Sequence, residues 1–275
     1  MPMKTSFSTL GCPDWSVSQA LEQAQKLGFD GVELRYFNGS DALWDLPELS
    51  GTGLAATRRQ VADRGLAISS VGARAHFHSP DAARRRQQVE EAKRNIDIAA
   101  ALDCGGVRIW GDKVQAGATR ESTMKWISES LWTLADYGRP GNVNTRLESH
   151  GDFARSTDVL ALLRGCGCHG AAATWDPANA LADAHEDPAE GAANLGAYIE
   201  HVHFKDEKLL GPGKRDIQLL GDGDIPLGQI VNSLKKLNYQ GFVSLEWEKK
   251  NFPQAARPEV AFPQFIAWWK KNGPG

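Results

Sequence analysis

The sequence predicts a single (β/α)8 barrel spanning residues 1–275. Three observations carry that expectation. Short β-branched or apolar runs alternate with amphipathic stretches, eight of each. The mean unit is then about 34 residues, ordinary for a barrel of roughly 250 residues in one domain. Charged residues of the later strands also share one parity, as a polar barrel interior requires.

The elements follow in order. Residues 4–10 form the first strand. Residues 16–27 are helical, with Val17, Ala20, Leu21, Ala24 and Leu27 on one face and Gly28 as the stop. Strand 31–35 precedes a weaker helix at 54–64, and strand 66–71 precedes a long helix at 81–102. Strand 106–110 leads to helix 120–137, whose stripe is Met124, Ile127, Leu131 and Leu134. Strand 143–149 leads to helix 157–164, and strand 171–176 to a helix near 187–196. Strand 199–205 is followed by a Gly-rich loop insertion over 210–226, then helix 226–237. Strand 241–247 and a helix near 256–271 close the chain. An open doubly wound sheet is the alternative if the count of units fails.

Side chains alternate faces along a strand, and outward residues of a barrel meet helices. In 143–149, Val143, Thr145 and Leu147 oppose Asn144, Arg146 and Glu148. In 199–205, Val202 and Phe204 oppose His201, His203 and Lys205. In 241–247, Val243, Leu245 and Trp247 oppose Ser244 and Glu246, and Asp176 opposes Ala171, Ala173 and Trp175. Charges thus converge inside four successive strands near their C-terminal ends, where barrel active sites are built. Without mutual pairing or a metal, their burial is costly.

Composition narrows the function classes. Lys plus Arg number 31 against 34 Asp plus Glu, for a net charge of −3. That balance argues against a nucleic-acid partner, which needs a basic face. No apolar run approaches the roughly 20 residues of a membrane span. The first residues lack the apolar core of a secretory signal. Four cysteines are too few for a disulfide scaffold, so a cytoplasmic protein is expected.

The inward set ends in Glu148, Asp176, His203 and Glu246, at gaps of 28, 27 and 43 residues. Gaps near whole βα units place four side chains at one height on neighbouring strands. Three carboxylates and one imidazole suit one hard or borderline divalent cation: Mn²⁺ first, with Mg²⁺ or Co²⁺ also compatible. Each residue alone would read equally as an ordinary barrel-lining ion-pair partner.

Several phrases resemble the sugar phosphate isomerase/epimerase family, the xylose-isomerase-like TIM barrels. They are Leu147-Glu-Ser-His-Gly-Asp152, Trp175-Asp-Pro-Ala-Asn179, His201-Val-His-Phe-Lys-Asp206, Leu220-Gly-Asp-Gly-Asp-Ile225 and Val243-Ser-Leu-Glu-Trp-Glu248. Gly28 to Leu34 is similar to the family's second strand, and Leu10 to Trp15 to its first loop. The resemblance implies that Glu148, Asp176, His203 and Glu246 ligate the metal, with Glu148 and Glu246 as the acid/base pair. It implies isomerisation or epimerisation of a small polyhydroxylated ketose or keto-sugar through a cis-enediolate. The family's ketose epimerases often carry a His three residues after the metal Asp, and this chain has Asn179 there. The alternatives are a metal-dependent dehydratase or lyase on a keto-sugar, inositol or shikimate-type substrate, an abasic-site endonuclease, and a silent sugar-binding barrel. The expected partner is a small carbohydrate, with neither nucleic acid nor membrane; a homo-oligomer is a compatible assembly.

Further substrate-binding candidates lie at strand ends. His150 follows Glu148 and either contacts substrate or caps the next loop. Lys205 could neutralise an enolate oxygen or a substrate carboxylate, or form a salt bridge to Glu148 or Glu246. His76 and His78 could line the mouth, and Trp15 and Trp110 could wall a sugar face or pack in the core. Arg215, like Lys214 in the seventh loop, could reach an anionic group. Arg108 and Arg146 are expected to pair with inner carboxylates such as Glu33, lower in the barrel. Gly165 to Gly170 matches a dinucleotide fingerprint in letters only, since it follows a helix and precedes a strand. Cys166, Cys168 and His169 lack a fourth ligand for zinc.

Overall fold

In the computed structural model, which describes residues 2–211 and 213–274, eight parallel strands close into a barrel. They are β1 (Lys4–Ser8), β2 (Gly31–Leu34), β3 (Ala67–His76), β4 (Gly106–Trp110), β5 (Asn144–Glu148), β6 (Ala171–Trp175), β7 (Ile199–Phe204) and β10 (Phe242–Leu245). β1 pairs with β2 on one side and β10 on the other, which closes the ring. Two strands outside the barrel, β8 (Asp206–Gly211) and β9 (Lys214–Gln218), form an antiparallel hairpin. The helices are α1 (Val17–Leu27), α2 (Gly51–Asp63), α3 (Ala82–Ala101), α4 (Arg120–Gly138), α5 (Ser156–Cys166), α6 (Pro177–Ala184), α7 (Pro188–Leu195), α8 (Leu227–Lys236) and α9 (Pro258–Asn272).

Local chemistry sets the helix ends. Ser16 and Gln19 form a capping box at the start of α1, and Gly28 ends it in the left-handed region at φ 82°. Asp81 caps α3 through Ala83 N–H. The outward residues Val107, Ile109, Leu147, Val202, Phe204, Val243 and Leu245 are buried under the helix layer. Phe7 stacks on Phe262 at 4.3 Å, tying β1 to α9.

Four expectations change. The first strand ends at Ser8, because Ser8 caps a short 3₁₀ turn over Thr9–Gly11. Between β6 and β7 there are two helices, not the single one expected near 187–196. Asp176 at the cap and Pro177 in the first turn start the extra one, α6. The expected loop insertion at 210–226 contains β9, paired with β8. Asp206 gathers the turn that follows, accepting from the N–H groups of Gly221, Gly223 and Ile225. Finally, Cys166 and Cys168 are joined by a disulfide two residues apart. So short a loop removes little chain entropy, so the bridge is no scaffold staple. No helix of the described residues is long and apolar enough to cross a membrane.

Candidate active site

Strand register brings the four inward residues together. Glu148 ends β5 beside Trp110 of β4 and Thr174 of β6. His203 of β7 is level with Ser244 of β10. Glu246 lies one residue past β10, its N–H still on Phe204 O at 3.0 Å. Asp176 follows β6 directly. Its Oδ1 is consumed as the α6 cap, accepting from Asn179 N–H at 2.9 Å, which leaves Oδ2 for the site. All four are buried, with one ligand atom from each within 4.8 Å of the others.

His203 is the centre of the charge network. Its Nδ1 lies 2.7 Å from Glu148 Oε1, 3.3 Å from Glu246 Oε1 and 3.8 Å from Asp176 Oδ2. Its Nε2 lies 3.1 Å from Glu33 Oε1. Burial opposes the imidazolium, but Glu246, Glu33 and Glu148 outweigh it and push the pKa up to about 10. His201 sits 3.4 Å from Glu33 Oε2 and is buried with less help, so its pKa falls to about 4. Glu33 also accepts from Ser244 Oγ at 2.8 Å. It thereby holds the ring nitrogen of His203 that points away from the cluster, the usual support for a metal-ligating imidazole.

Cations balance the carboxylates. Burial penalises the Glu148 anion, yet Arg108 and His203 hold its carboxyl low. Glu246 is held low against burial by His203, Lys205 and Arg35, the last ion-paired to it. Asp176 goes the other way, because burial and the Glu246 charge outweigh Lys205 and push its carboxyl up. Its Oδ2 stands 2.9 Å from Lys205 Nζ without a well-aligned hydrogen bond. A buried donor set with three carboxylates, one imidazole and an unsatisfied carboxylate oxygen fits a hard or borderline divalent cation.

A cavity of about 240 Å³ opens above this cluster. That is smaller than the usual pocket for a drug-sized ligand, and suits a compact molecule. Of the sequence candidates, Glu148, Glu246, His150, Lys205, Asn179, Trp110 and Arg215 line it. His150 Nδ1 is 3.3 Å from Asp112 Oδ1, and its ring lies 4.6 Å from that of Trp110. Asn179 Oδ1 accepts from Arg215 Nη1 at 2.9 Å. Trp15 does not line the cavity. It packs edge-on against Phe7 and Phe262 in the outer core, because the first strand turns before reaching it. His76 ends β3, stacks on His78 and accepts from Trp110 Nε1 at 3.2 Å, so it supports the wall from behind. Burial and His78 lower its pKa to about 4.

Arg108 and Arg146 each pair with a carboxylate inside the barrel, as expected, though not with Glu33. Arg108 meets Glu148 and lies 4.1 Å over the Trp110 ring, whereas Arg146 meets Glu200 at 3.1 Å. Two imidazoles occupy Glu33 instead. Lys205 reaches Glu246 at 2.6 Å, as one expectation held, and also Asp176 and Glu248, but not Glu148. Sequence reasoning passed over Arg35 and Glu207. Arg35 shares inward parity with Glu33, a readable signal. Glu207 comes from the hairpin, which left no period to read.

The family described as xylose isomerase-like TIM barrel matches residues 21–272. The chain belongs to that family. No curated protein matches it. Among solved structures, this xylose isomerase-like barrel is similar to D-psicose 3-epimerase in the presence of D-fructose. The TM-score is 0.80 at 16% identity, over 99% of this chain and 100% of that one. It is also similar to the probable 3-DHS dehydratase AsbF of Bacillus anthracis, with TM-score 0.76 and 18% identity over 98% of both chains. A third is 3-keto-D-glucoside 4-epimerase from E. coli, with TM-score 0.78 and 15% identity over 98% of this chain and 99% of that one. At these identities the likeness is one of fold.

Proposed function

We propose that this xylose isomerase-like barrel is a divalent-metal-dependent isomerase or epimerase of a small polyhydroxylated ketose or keto-sugar. One observation carries the reading: Glu148, Asp176, His203 and Glu246 meet, buried, at the C-terminal ends of neighbouring strands beneath a polar cavity. These four residues would hold the cation, Mn²⁺ first among Mg²⁺ and Co²⁺. When bound, the cation would supply polarisation of a carbonyl and its neighbouring hydroxyl, which acidifies the C–H of the hydroxyl-bearing carbon and favours a cis-enediolate. Glu148 and Glu246 move that proton. β7 and β6 separate their strands, so they approach a bound sugar from two directions. Both are held anionic, ready to act as base. Lys205, 2.6 Å from Glu246 Oε2, keeps its proton among these carboxylates and holds Glu246 anionic. Trp110 and His150 offer a wall for the carbon skeleton.

Lys205 also supports a second reading, a dehydratase or lyase. An ammonium beside a carboxylate base can hydrogen-bond a departing hydroxyl and stabilise its developing charge, and Asn179 stands where the ketose epimerases often have His. Incubation of the Mn²⁺-reconstituted protein with ketoses and keto-sugars in D₂O separates the two. An isomer carrying solvent deuterium supports the first reading and an unsaturated product the second. No bound ion after reconstitution, together with no turnover, refutes both.

A further inference from the structure

On the hairpin side, the cavity is lined by a buried carboxyl that accepts no hydrogen bond among the described residues. Glu207 belongs to β8, is fully buried and lines the cavity. Neither of its carboxylate oxygens receives a hydrogen bond from any described residue. Arg215 Nη1 stands 3.6 Å from Oε2, too far for one. The neighbouring cations are already engaged. Lys205 Nζ donates to Glu246 and Glu248 at 2.6 and 3.2 Å and is ion-paired with Asp176 at 2.9 Å. Arg215 gives Nη2 to both oxygens of Asp183, at 3.0 and 3.1 Å, and Nη1 to Asn179.

The Glu207 backbone is fixed. Its N–H donates to Asp206 Oδ1 at 3.0 Å, and its carbonyl accepts from Asp224 N–H at 2.8 Å. Asp206 is itself anchored by the three N–H groups of the following turn. A buried acceptor without a donor is costly, and a rigid backbone keeps it from seeking one. A ligand in the cavity is what can supply the donors.

We propose that Glu207 accepts hydrogen bonds from substrate hydroxyls, so that the substrate turns an uncharged, hydroxyl-bearing end towards the β8–β9 hairpin. A phosphate or carboxylate in that place would be set against the Glu207 and Glu248 carboxyls, where Lys205 and Arg215 are already ion-paired with protein carboxylates. The inference rests on the carbohydrate reading of this site and deepens it: at that end the substrate is a free polyol, not a sugar phosphate.

Binding titrations on the Mn²⁺-loaded protein test it. The probes are D-fructose, D-psicose and L-ribulose, their terminal deoxy analogues and their terminal phosphates. The free ketoses are expected to bind. Glu207→Ala should raise their Kd about 10- to 100-fold, as loss of a hydrogen bond to a charged group does. That loss should shrink below about twofold for the deoxy analogue lacking the partnered hydroxyl. Phosphate at the same position should weaken wild-type binding at least about tenfold, and Glu207→Gln, which removes the charge at constant shape, should narrow that gap. A wild-type protein that binds only the phosphorylated probes overturns this inference and leaves the metal-dependent reading standing. So do Glu207 variants with wild-type circular dichroism and unchanged Kd. Failure of every probe to bind overturns this inference, and if Mn²⁺ also fails to bind, the reading beneath it falls too.

Discussion

Two layers of charge lie inside this barrel, and they are built differently. The lower one joins Asn144, Arg146 and Glu200. Asn144 Nδ2 donates to Glu200 Oε1 at 2.6 Å, Arg146 Nε to Glu200 Oε2 at 3.1 Å, and Arg146 Nη1 to Ser69 O at 3.0 Å. Each charged group there has found a partner. The upper layer holds Glu148, Asp176, His203 and Glu246, with Glu207 above. There His203 is shared among four carboxylates, and Asp176 Oδ2 and both Glu207 oxygens lack hydrogen bonds among the described residues. Native proteins pair the large majority of buried polar groups, so unpaired carboxylate oxygens above a cavity ask for a partner. In a barrel the bottom face serves stability and the top face serves chemistry, and the satisfied and unsatisfied layers follow that division.

The sharpest way to break this comparison is in the upper layer. Glu148→Gln and Glu246→Gln are each expected to lower kcat about 10²- to 10⁴-fold with the fold retained, measured by initial rates beside circular dichroism. A smaller loss comes from the residue that holds His203 from behind. Glu33→Gln should weaken Mn²⁺ binding about 10- to 100-fold, read by calorimetry, because the ring loses its orienting carboxylate.

Proton competition sharpens the comparison further. The pKa of His203 is raised, so without metal the ring keeps its proton at neutral pH. A cation must displace that proton, and the apparent affinity therefore rises with pH, by up to about tenfold per unit below pH 10. Titrations in buffers of different ionisation enthalpy should show about one proton released per ion; pH-independent binding would contradict the network. The smallest effect on activity is expected in the lower layer. Arg146→Met should cost about 1–3 kcal/mol of stability by denaturant unfolding, since Glu200 and Ser69 O lose their donor. It should leave the kcat of the folded enzyme within about twofold.

Much of this was legible along the chain because a parallel barrel writes itself with two periods. Alternation placed Asn144, Arg146 and Glu148 on one face and Leu147 on the other, and the structure has them so. Unit-length gaps put Glu148, Asp176, His203 and Glu246 at one height. The same rule applied to the second strand would have placed Arg35 beside the already inward Glu33. It was silent about α6, whose signal is a cap and a proline, not a period. Of the two fates open to Trp15, the structure takes core packing, because a 3₁₀ turn after Ser8 redirects the chain before the mouth.

The order of strands, the polarity of the interior and the four converging side chains were determined by sequence alone, since each depends on local spacing and on which residues tolerate burial. Only the tertiary structure decided which cation meets which anion. Glu33 went to His203 and His201, Arg108 to Glu148, Arg146 to Glu200 and Arg35 to Glu246. Charges are exchangeable partners in sequence. A few ångströms of side-chain reach across a closed ring select among them, and that distance exists only once the ring has closed.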